Sequence, residues 1–171
     1  AVIEALEKSG FEPVMIPVGH AFAKPKMREL SALCGGELAG HYYFGDFFGC
    51  DSGVLAAMRV LLQVAKAKRQ GCAFSEMMKP IACRYANSGE LNFKVDDKSS
   101  AIKRVLDKAA QLSEEISRSE MDGVRIDFAD GWINVRPSNT EPYLRLIAEF
   151  NSREKLSLVV SALTDEISKC S

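Results

Sequence analysis

The stretch VRIDFADGWINVRPSNTEPYLRLIAEF, residues 124–150, decides the fold of the second half of the chain. Apolar and polar residues alternate in VRIDF (124–128), WINVR (132–136) and YLRLIAEF (143–150). This alternation predicts strands, because successive side chains of a strand point to opposite faces of a sheet. The Ala129-Asp130-Gly131 step is a tight-turn signal between the first two strands. We therefore expect three consecutive antiparallel strands.

The segments around these strands complete one domain. ELNFKV (90–95) alternates as a further strand, and residues 99–117 have the apolar spacing of an amphipathic helix. Asn151 as N-cap and Glu154 three residues later predict a last helix that runs to about Lys169. The order is β-α-β-β-β-α, which predicts an α+β domain with one antiparallel sheet and its helices on one face.

The first half of the chain has a different, α/β pattern. Its predicted elements are a helix at 2–8, an apolar strand EPVMIPV at 12–18, a helix at 24–33, an extended segment GELAGHYYF at 36–44, a long helix within 50–71 and a short helix at 74–81. Pro25 suits the first turn of the 24–33 helix, and Asp51 or Ser52 suits the N-cap of the long helix. These elements predict an incomplete α/β mixed-sheet domain at residues 1–80, cut from a longer protein, followed by the second domain at residues 81–171.

Composition excludes several classes of function. A formal net charge of -1 provides no basic footprint for nucleic acid, and no apolar run is long enough to span a membrane. The five cysteines are odd in number and scattered, with no C-x-x-C pair or zinc-ligand spacing. We therefore expect no metal ligands in this chain, reduced thiols and a cytoplasmic location.

The loop Arg136-Pro137-Ser138-Asn139-Thr140-Glu141-Pro142 has more hydrogen-bond donors than a turn requires. Arginine presents a planar fork of donors to phosphate oxygens, and the hydroxyls, the amide and the loop N–H groups can converge on one anion. The alternative is a polar surface turn whose side chains cap their own backbone. Arg145 either reaches the anion that this loop would bind or is a solvated charge.

Two upstream segments hold the two histidines of the chain, His20 and His41. If GELAGH (36–41) is extended, Glu37, Ala39 and His41 share one face, which would suit sugar hydroxyls but would also suit an exposed ion pair. His20, in VGHAFAKPK (18–26), follows a predicted strand end, where ligands gather in open α/β sheets. It is either a general acid or base or a structural histidine.

GHAFAKPKM, GELAGH and GVRIDFADGWINVRPSNTEPYLRL, in this order, resemble segments of the α-D-phosphohexomutase superfamily, specifically its bacterial phosphomannomutase/phosphoglucomutase branch. The resemblance extends over essentially the whole chain. It implies that the chain holds part of the family's sugar-recognition domain three and its phosphate-binding domain four. It implies a parent enzyme that interconverts hexose 1-phosphate and 6-phosphate.

The resemblance also implies roles for individual residues. Glu37 and His41 bind sugar hydroxyls, and His20 is a possible acid/base or phosphosugar contact. The residues implied to hold the substrate's phosphate are Arg136, Ser138, Asn139 and Thr140, with Arg145 as a weaker candidate. Ala39 and Ala21 stand where the family usually has serine, so one hydroxyl contact is expected to be lost.

No Ser-His-Asn-Pro segment for the catalytic phosphoserine and no D-x-D-x-D-R metal loop occurs in these residues. We therefore expect the Mg²⁺ of the parent enzyme to be bound by N-terminal domains missing from this chain, with hexose 1,6-bisphosphate as activator or intermediate. The chain alone is then expected to bind phosphosugar and to catalyse nothing. A stand-alone phosphosugar-binding module and a phosphoglucosamine mutase fragment are the alternatives, although the latter family tends to have glycine in place of Asn139.

Overall fold

The structure, a computed structural model, describes residues 2–138 and 141–170. The chain folds as two compact units, residues 1–82 and residues 83–171. None of the helices in the described ranges has both the length and the apolar character needed to cross a membrane. Asn139 and Thr140, two predicted phosphate ligands, lie outside the described residues.

The described part of the first unit contains four helices and a small sheet. In chain order these elements are α1 (Val2–Lys8), α2 (His20–Glu29), β1 (Cys34–Gly36), β2 (Tyr42–Phe44), β3 (Cys50–Asp51), α3 (Gly53–Arg69) and α4 (Phe74–Ala82). The strands pair antiparallel in the order β1-β2-β3. Ala23 and Met27 of α2 pack on Tyr43 of β2 and form a small core.

Three local predictions for the first unit are wrong. Residues 12–18 form no strand, because no other described segment pairs with them and an unpaired strand leaves its backbone groups unbonded. Helix α2 begins at His20 and contains Pro25 in its interior, four residues earlier than the predicted start at residue 24. Residues 36–44 are not one extended segment, because the chain turns after β1 and returns as β2.

The long helix is confirmed as α3. Ser52 is its N-cap and accepts a hydrogen bond from the Leu55 backbone N–H at 3.2 Å, while Asp51 ends strand β3 instead. The chain leaves the helix through Gly71, whose φ of +74° lies in the left-handed region that glycine adopts without strain.

The second unit is an antiparallel sheet covered by two helices. Its described elements are β4 (Ala86–Asn87), β5 (Leu91–Lys94), α5 (Lys98–Leu112), β6 (Ser117–Ser119), β7 (Val124–Phe128), β8 (Gly131–Pro137), β9 (Tyr143–Phe150) and α6 (Arg153–Ser168). The sheet order is β4-β9-β8-β7-β6, and β5 pairs with the same edge of β9 as β4. The predicted meander is confirmed as β7, β8 and β9.

Two boundaries in this unit differ from the prediction. Helix α5 begins after its N-cap Asp97 and ends at Leu112, so Ser117 belongs to strand β6. Helix α6 is capped by Ser152 rather than Asn151, because the Ser152 hydroxyl accepts from the Lys155 backbone N–H at 3.0 Å. The first difference arises because Ser117 pairs with Asp127 of β7 instead of continuing the helix, and the second because neighbouring polar residues compete for the same capping role.

The two faces of the larger sheet have different environments. Alternate residues of the strands, including Ile126, Ile133, Val135, Leu144 and Leu146, are fully buried in a core that includes side chains from α5 and α6. The intervening residues of β8 and β9, including Trp132, Arg136 and Arg145, are only partly buried. The fold therefore presents a polar face, and the loop after β8 lies at one end of its strands.

Candidate functional site

The first unit brings Glu37, His20 and His41 together, although not by the predicted geometry. Glu37 and His41 begin and end the turn between β1 and β2, where the Glu37 N–H donates to the His41 carbonyl at 2.9 Å. The Gly40 N–H donates to the Glu37 carbonyl at 3.0 Å, with Gly40 at a φ of +87°. Ala39 lies at the exposed tip of this turn. The prediction that Glu37, Ala39 and His41 share one strand face is therefore wrong, because a turn replaces the strand.

Tyr43 is the buried anchor of this cluster. Only 1% of its surface is exposed, and its hydroxyl hydrogen-bonds the Glu37 carboxylate. The same hydroxyl oxygen lies 3.2 Å from Nδ1 of His20, the first residue of α2. Burial, followed by the hydrogen bond to Glu37 and the nearby carboxylates, raises the pKa of Tyr43 well above its ordinary value of 10.0. Tyr43 therefore stays protonated and joins α2 to the turn that carries Glu37.

Asp51 lies between the two imidazoles. Its carboxylate oxygens are 3.1 Å from His41 Nδ1 and 3.6 Å from His20 Nδ1, and the Lys24 ammonium is 3.8 Å away. Burial by itself would raise the pKa of Asp51, but the hydrogen bond with His41 and the nearby His20 and Lys24 lower it below its ordinary value. Asp51 is therefore ionised at neutral pH and only accepts hydrogen bonds.

These contacts assign the imidazole tautomers. An ionised Asp51 requires His41 to carry its proton on Nδ1, and a Tyr43 hydroxyl that donates to Glu37 can only accept from His20 Nδ1. In its neutral form, an imidazole that carries its proton on Nδ1 keeps Nε2 as an acceptor. The cluster thus has two imidazole acceptors and the Glu37 carboxylate, a set suited to hydroxyl groups.

In the second unit, the loop between β8 and β9 is held at its base. The Ser138 N–H donates to the Tyr143 carbonyl at 2.8 Å, and Ser138 is buried. The Lys98 ammonium donates to the carbonyls of Ser138 and Glu141, both at 2.7 Å. Lys98 opens helix α5, where the helix dipole disfavours a cation, so the loop carbonyls account for its position.

Arg136 and Arg145 face each other across the sheet. They are register partners on β8 and β9, and both bind the Glu90 carboxylate, with Arg136 Nη2 at 2.8 Å and Arg145 Nη1 at 3.5 Å. Opposed like charges destabilise a sheet unless a counter-ion lies between them, which is the role of Glu90 here. Asp122 accepts a second bond from Arg136 at 3.2 Å.

The second arginine retains unused donors. Arg145 lies 3.8 Å from Glu141, and its buried Nε has no hydrogen-bond partner among the described residues. Its strand β9 pairs with β8 on one side and with β4 and β5 on the other, so Arg145 is not at a sheet edge. Arg136 and Arg145 together are therefore a dication beside the loop, a charge that suits an anion.

Gly123 permits the close approach of the chain that carries Asp122. A Cβ at Gly123 would lie 2.4 Å from the Arg136 Cβ, and Gly123 has a φ of +73°. Only glycine fits both the space and the backbone conformation. This position therefore keeps Asp122 within reach of Arg136.

Sequence patterns did not predict five residues of these clusters, namely Tyr43, Asp51, Glu90, Lys98 and Asp122. Asp51 appeared only as a candidate helix cap, and Tyr43 only as part of a predicted extended segment. Glu90 and Lys98 are far from the loop in sequence and reach it through sheet pairing and helix packing. The one signal in the sequence that could have predicted such a residue is the pair Arg136 and Arg145, because two arginines that face each other on neighbouring strands require a nearby carboxylate.

Comparison with known proteins identifies both units. Residues 1–83 match the family model described as phosphoglucomutase/phosphomannomutase, alpha/beta/alpha domain III, and residues 90–166 match that of the phosphoglucomutase/phosphomannomutase C-terminal domain. A phosphohexose mutase from Xanthomonas campestris pv. campestris is 37% identical over 147 residues, covering 86% of this chain and 32% of that protein. A phosphomannomutase from Vibrio cholerae is 36% identical over 171 residues, covering 98% of this chain and 35% of that protein.

A solved structure has the same fold over almost the whole chain. The crystal structure of a phosphoglucomutase/phosphomannomutase family protein from Burkholderia thailandensis superposes with a TM-score of 0.77 at 25% identity. The match covers 99% of this chain and 35% of that one. The chain therefore spans about a third of the length of the relatives it matches, and the fold class predicted from the sequence is confirmed.

Proposed function

The chain belongs to the phosphoglucomutase/phosphomannomutase family, and we propose that it supplies sugar recognition and phosphate binding to an enzyme that interconverts hexose 1-phosphate and hexose 6-phosphate. The relatives are named phosphohexose mutases and phosphomannomutases, which are isomerases by phosphoryl transfer. The observation that carries the proposal is the paired Arg136 and Arg145 beside the Ser138 loop, since a guanidinium group forms strong, often bidentate hydrogen bonds with phosphate oxygens.

In this proposal the second unit binds the phosphate group that is not transferred. Arg136 provides a positive charge and bidentate hydrogen bonds to the phosphate, and Arg145 provides a second guanidinium group. Ser138 contributes its hydroxyl group from the base of the loop, which Lys98 holds in place. Asn139 and Thr140 are proposed ligands of the same phosphate. Phosphoryl transfer depends mainly on positioning and charge stabilisation, so a rigid phosphate contact contributes directly to the rate.

The first unit is proposed to bind the sugar hydroxyls. Glu37, fixed by Tyr43, accepts hydroxyl protons, and His41, oriented by Asp51, presents Nε2 to a second hydroxyl. His20 is proposed as an acid or base for a sugar hydroxyl, because its Nδ1 is held by Tyr43 and its ring is half exposed. The side chains that orient Glu37 and both imidazoles are thus partly or fully buried within this unit.

The proposal extends to a longer protein with N-terminal domains, a cytoplasmic location, Mg²⁺ and a hexose 1,6-bisphosphate. Five free cysteines agree with a reducing compartment. The residues described here do not suit Mg²⁺, because their one close group of metal-ligand types is His20, His41 and Asp51. Magnesium prefers an octahedron of oxygen ligands, so no step of the proposal involves the metal through this chain.

Calorimetric titration of the purified chain with mannose 6-phosphate, glucose 6-phosphate and inorganic phosphate tests this proposal. Arg136→Ala is expected to weaken all three at least tenfold, because it removes a charge-assisted contact to phosphate. Glu37→Gln is expected to weaken the two sugar phosphates and to leave inorganic phosphate unchanged. Arg118→Ala, which removes an exposed arginine paired with Glu115 in the same unit as Arg136, is the matched control and is expected to change nothing.

Unchanged phosphate binding in Arg136→Ala would show that the loop is only a polar turn. Equal loss of inorganic phosphate in Glu37→Gln would contradict the division of roles between the two units. The chain alone is expected to give no turnover of glucose 1-phosphate, and measurable turnover would refute the need for further domains.

A further inference from the structure

His20, His41 and Asp51 have a second chemical capacity beside the binding of hydroxyl groups. Each offers one metal-ligand atom, and the three atoms lie within 4.8 Å of one another. They come from the first turn of α2, the turn before β2 and the end of β3. Sequence spacing predicted no metal ligands because His20 and Asp51 are 31 positions apart and become neighbours only in the folded unit.

The distances fit a small tetrahedral ion. Zinc binds imidazole nitrogen and carboxylate oxygen at about 2.0–2.2 Å, which places neighbouring ligand atoms of a tetrahedron about 3.3–3.5 Å apart. The observed separations are 3.1 Å from His41 Nδ1 to Asp51 Oδ2 and 3.6 Å from His20 Nδ1 to Asp51 Oδ1, and one ligand atom from each residue lies within 4.8 Å of the other two. An ion bound to the two Nδ1 atoms, with the proton of each imidazole moved to Nε2, is therefore accommodated by side-chain adjustments that bring the ligand atoms to this spacing.

The surrounding groups support a cation at this point. The Asp51 carboxylate contacts both imidazoles, and the Glu37 carboxylate lies one hydrogen bond further away through the Tyr43 hydroxyl. Lys24 is the opposing charge, at 3.8 Å from Asp51, and its half-exposed flexible side chain can move into solvent. Buried Tyr43 limits the movement of the cluster, which lowers the ordering cost of binding.

The ligand types select the kind of metal. Two imidazoles and one carboxylate suit Zn²⁺, Ni²⁺ or Cu²⁺, whereas Mg²⁺ and Ca²⁺ prefer oxygen ligands only. Three protein ligands leave a fourth position open to water, in contrast to closed structural zinc sites.

We propose that His20, His41 and Asp51 bind one Zn²⁺ ion through the two Nδ1 atoms and the Asp51 carboxylate. With Nδ1 bound to the ion, Nε2 of each imidazole carries the proton and no longer accepts a hydrogen bond from a sugar hydroxyl, so the ion competes with hexose phosphate. The competition rests on the proposed function, whereas metal binding itself does not. The first unit therefore contains a zinc site whose occupation inhibits the binding of hexose phosphate.

Titration of the full chain with Zn²⁺ alone, followed by calorimetry, tests the site under reducing conditions. One equivalent is expected to bind, and His20→Gln, His41→Gln and Asp51→Asn are each expected to weaken binding at least tenfold. Asp46→Asn is the matched control, because Asp46 is an exposed aspartate of the same unit that pairs with Arg59 instead. Circular dichroism checks that each variant keeps the fold, and three separate variants keep the test valid if one fails to fold.

The free thiols require their own control, since Cys50 precedes Asp51 and thiolates also bind zinc. Co²⁺ used as a spectroscopic probe is expected to give tetrahedral visible bands without sulfur charge-transfer absorption, and Cys34→Ser with Cys50→Ser is expected to leave binding unchanged. Binding that survives all three ligand variants, or that is lost with the cysteines, would overturn the proposal. Absence of zinc binding would also overturn it, while phosphate binding through Arg136 is measured independently in the second unit.

Discussion

Replacing Glu90 with glutamine is expected to destabilise the second unit and, at the same time, to tighten its binding of phosphate. Glu90 lies between Arg136 and Arg145, so its carboxylate neutralises the guanidinium groups that a phosphate would bind. The described charges around the loop balance, with three cations and three carboxylates, namely Arg136, Arg145, Lys98, Glu90, Asp122 and Glu141. Glutamine keeps the shape and one acceptor oxygen while it removes one negative charge.

The stability loss follows from the contacts of Glu90. The 2.8 Å bond to Arg136 is charge-assisted, whereas the 3.5 Å contact with Arg145 is longer than a good hydrogen bond. Hydrogen bonds to charged groups contribute about 1.5–3 kcal/mol, and partial exposure together with the retained amide oxygen reduces the loss to about 1 kcal/mol. For a unit of this size, 1 kcal/mol corresponds to a fall in Tm of about 4–8 °C.

The gain in phosphate affinity follows from the removed charge. At about 6 Å, two unit charges interact by about 0.7 kcal/mol at the dielectric constant of water and by about 1.4 kcal/mol at half that value. Removal of the repulsion is therefore expected to lower the Kd for phosphate by about three- to tenfold. The gain is expected to shrink as salt is added, because the groups are partly exposed.

Two measurements on one protein preparation test both expectations. Trp132, the single tryptophan of the chain, lies in β8 and reports urea unfolding of the second unit by fluorescence. Calorimetry with inorganic phosphate gives the Kd. Glu115→Gln removes a carboxylate from an exposed pair with Arg118 and is expected to change either quantity little. Weaker phosphate binding in Glu90→Gln would show that Glu90 positions the arginines rather than competing with the ligand, and unchanged stability would show that the ion pair contributes nothing in solution.

Three further perturbations test other parts of the structure. Lys98→Met is expected to weaken phosphate binding three- to tenfold and to lower the free energy of unfolding of the second unit by about 1 kcal/mol, because the loop carbonyls lose their donor. Calorimetry and urea unfolding measure the two effects. Lys103→Met, at an exposed position of the same helix, is the control. Tyr43 has a raised pKa, so the folded form holds a proton that the unfolded form releases above the ordinary tyrosine pKa of 10.0. The stability of the first unit is therefore expected to fall as pH rises above that value, and to fall more steeply than in Tyr43→Phe. Thermal melts followed by circular dichroism measure this dependence. Leu146→Ala, at a fully buried position, is expected to destabilise the second unit by about 2–5 kcal/mol in urea, and a loss below about 1 kcal/mol would contradict the described core.

The second unit was predictable from the sequence because its signals agree with one another. Strands β7 and β8 alternate regularly and a two-residue Ala129-Asp130 turn joins them, so local pattern and tertiary pairing give the same structure. The short strand β4 escaped prediction, because two residues show no alternation and its pairing depends on the edge of β9. The N-cap shift to Ser152 has the same local cause, since two adjacent residues can both cap.

The first unit was less predictable because its elements depend on partners outside their own sequence. Residues 12–18 have the composition of a buried strand, yet composition specifies a strand only where a neighbouring strand accepts its hydrogen bonds. The segment GELAGH was predicted to be extended, whereas Gly40 lies in a turn and has a positive φ. His20, Glu37 and His41 nevertheless lie close together in the folded unit, where Tyr43 contacts Glu37 and His20, and the His20 ring contacts that of His41.

The two clusters share a design that bears on catalysis. In each, the groups proposed for the ligand are already bonded to internal partners, Glu37 to Tyr43, His41 to Asp51 and Arg136 to Glu90. These bonds orient the side chains before the ligand arrives, which lowers the ordering cost, and they must be weakened or shared when it binds, which limits affinity. An enzyme gains nothing in kcat from binding its ground state more tightly than its transition state. Under the proposed function, internal carboxylates such as Glu90 therefore keep the substrate complex weak, while the arginines remain in place to hold the phosphate that is not transferred.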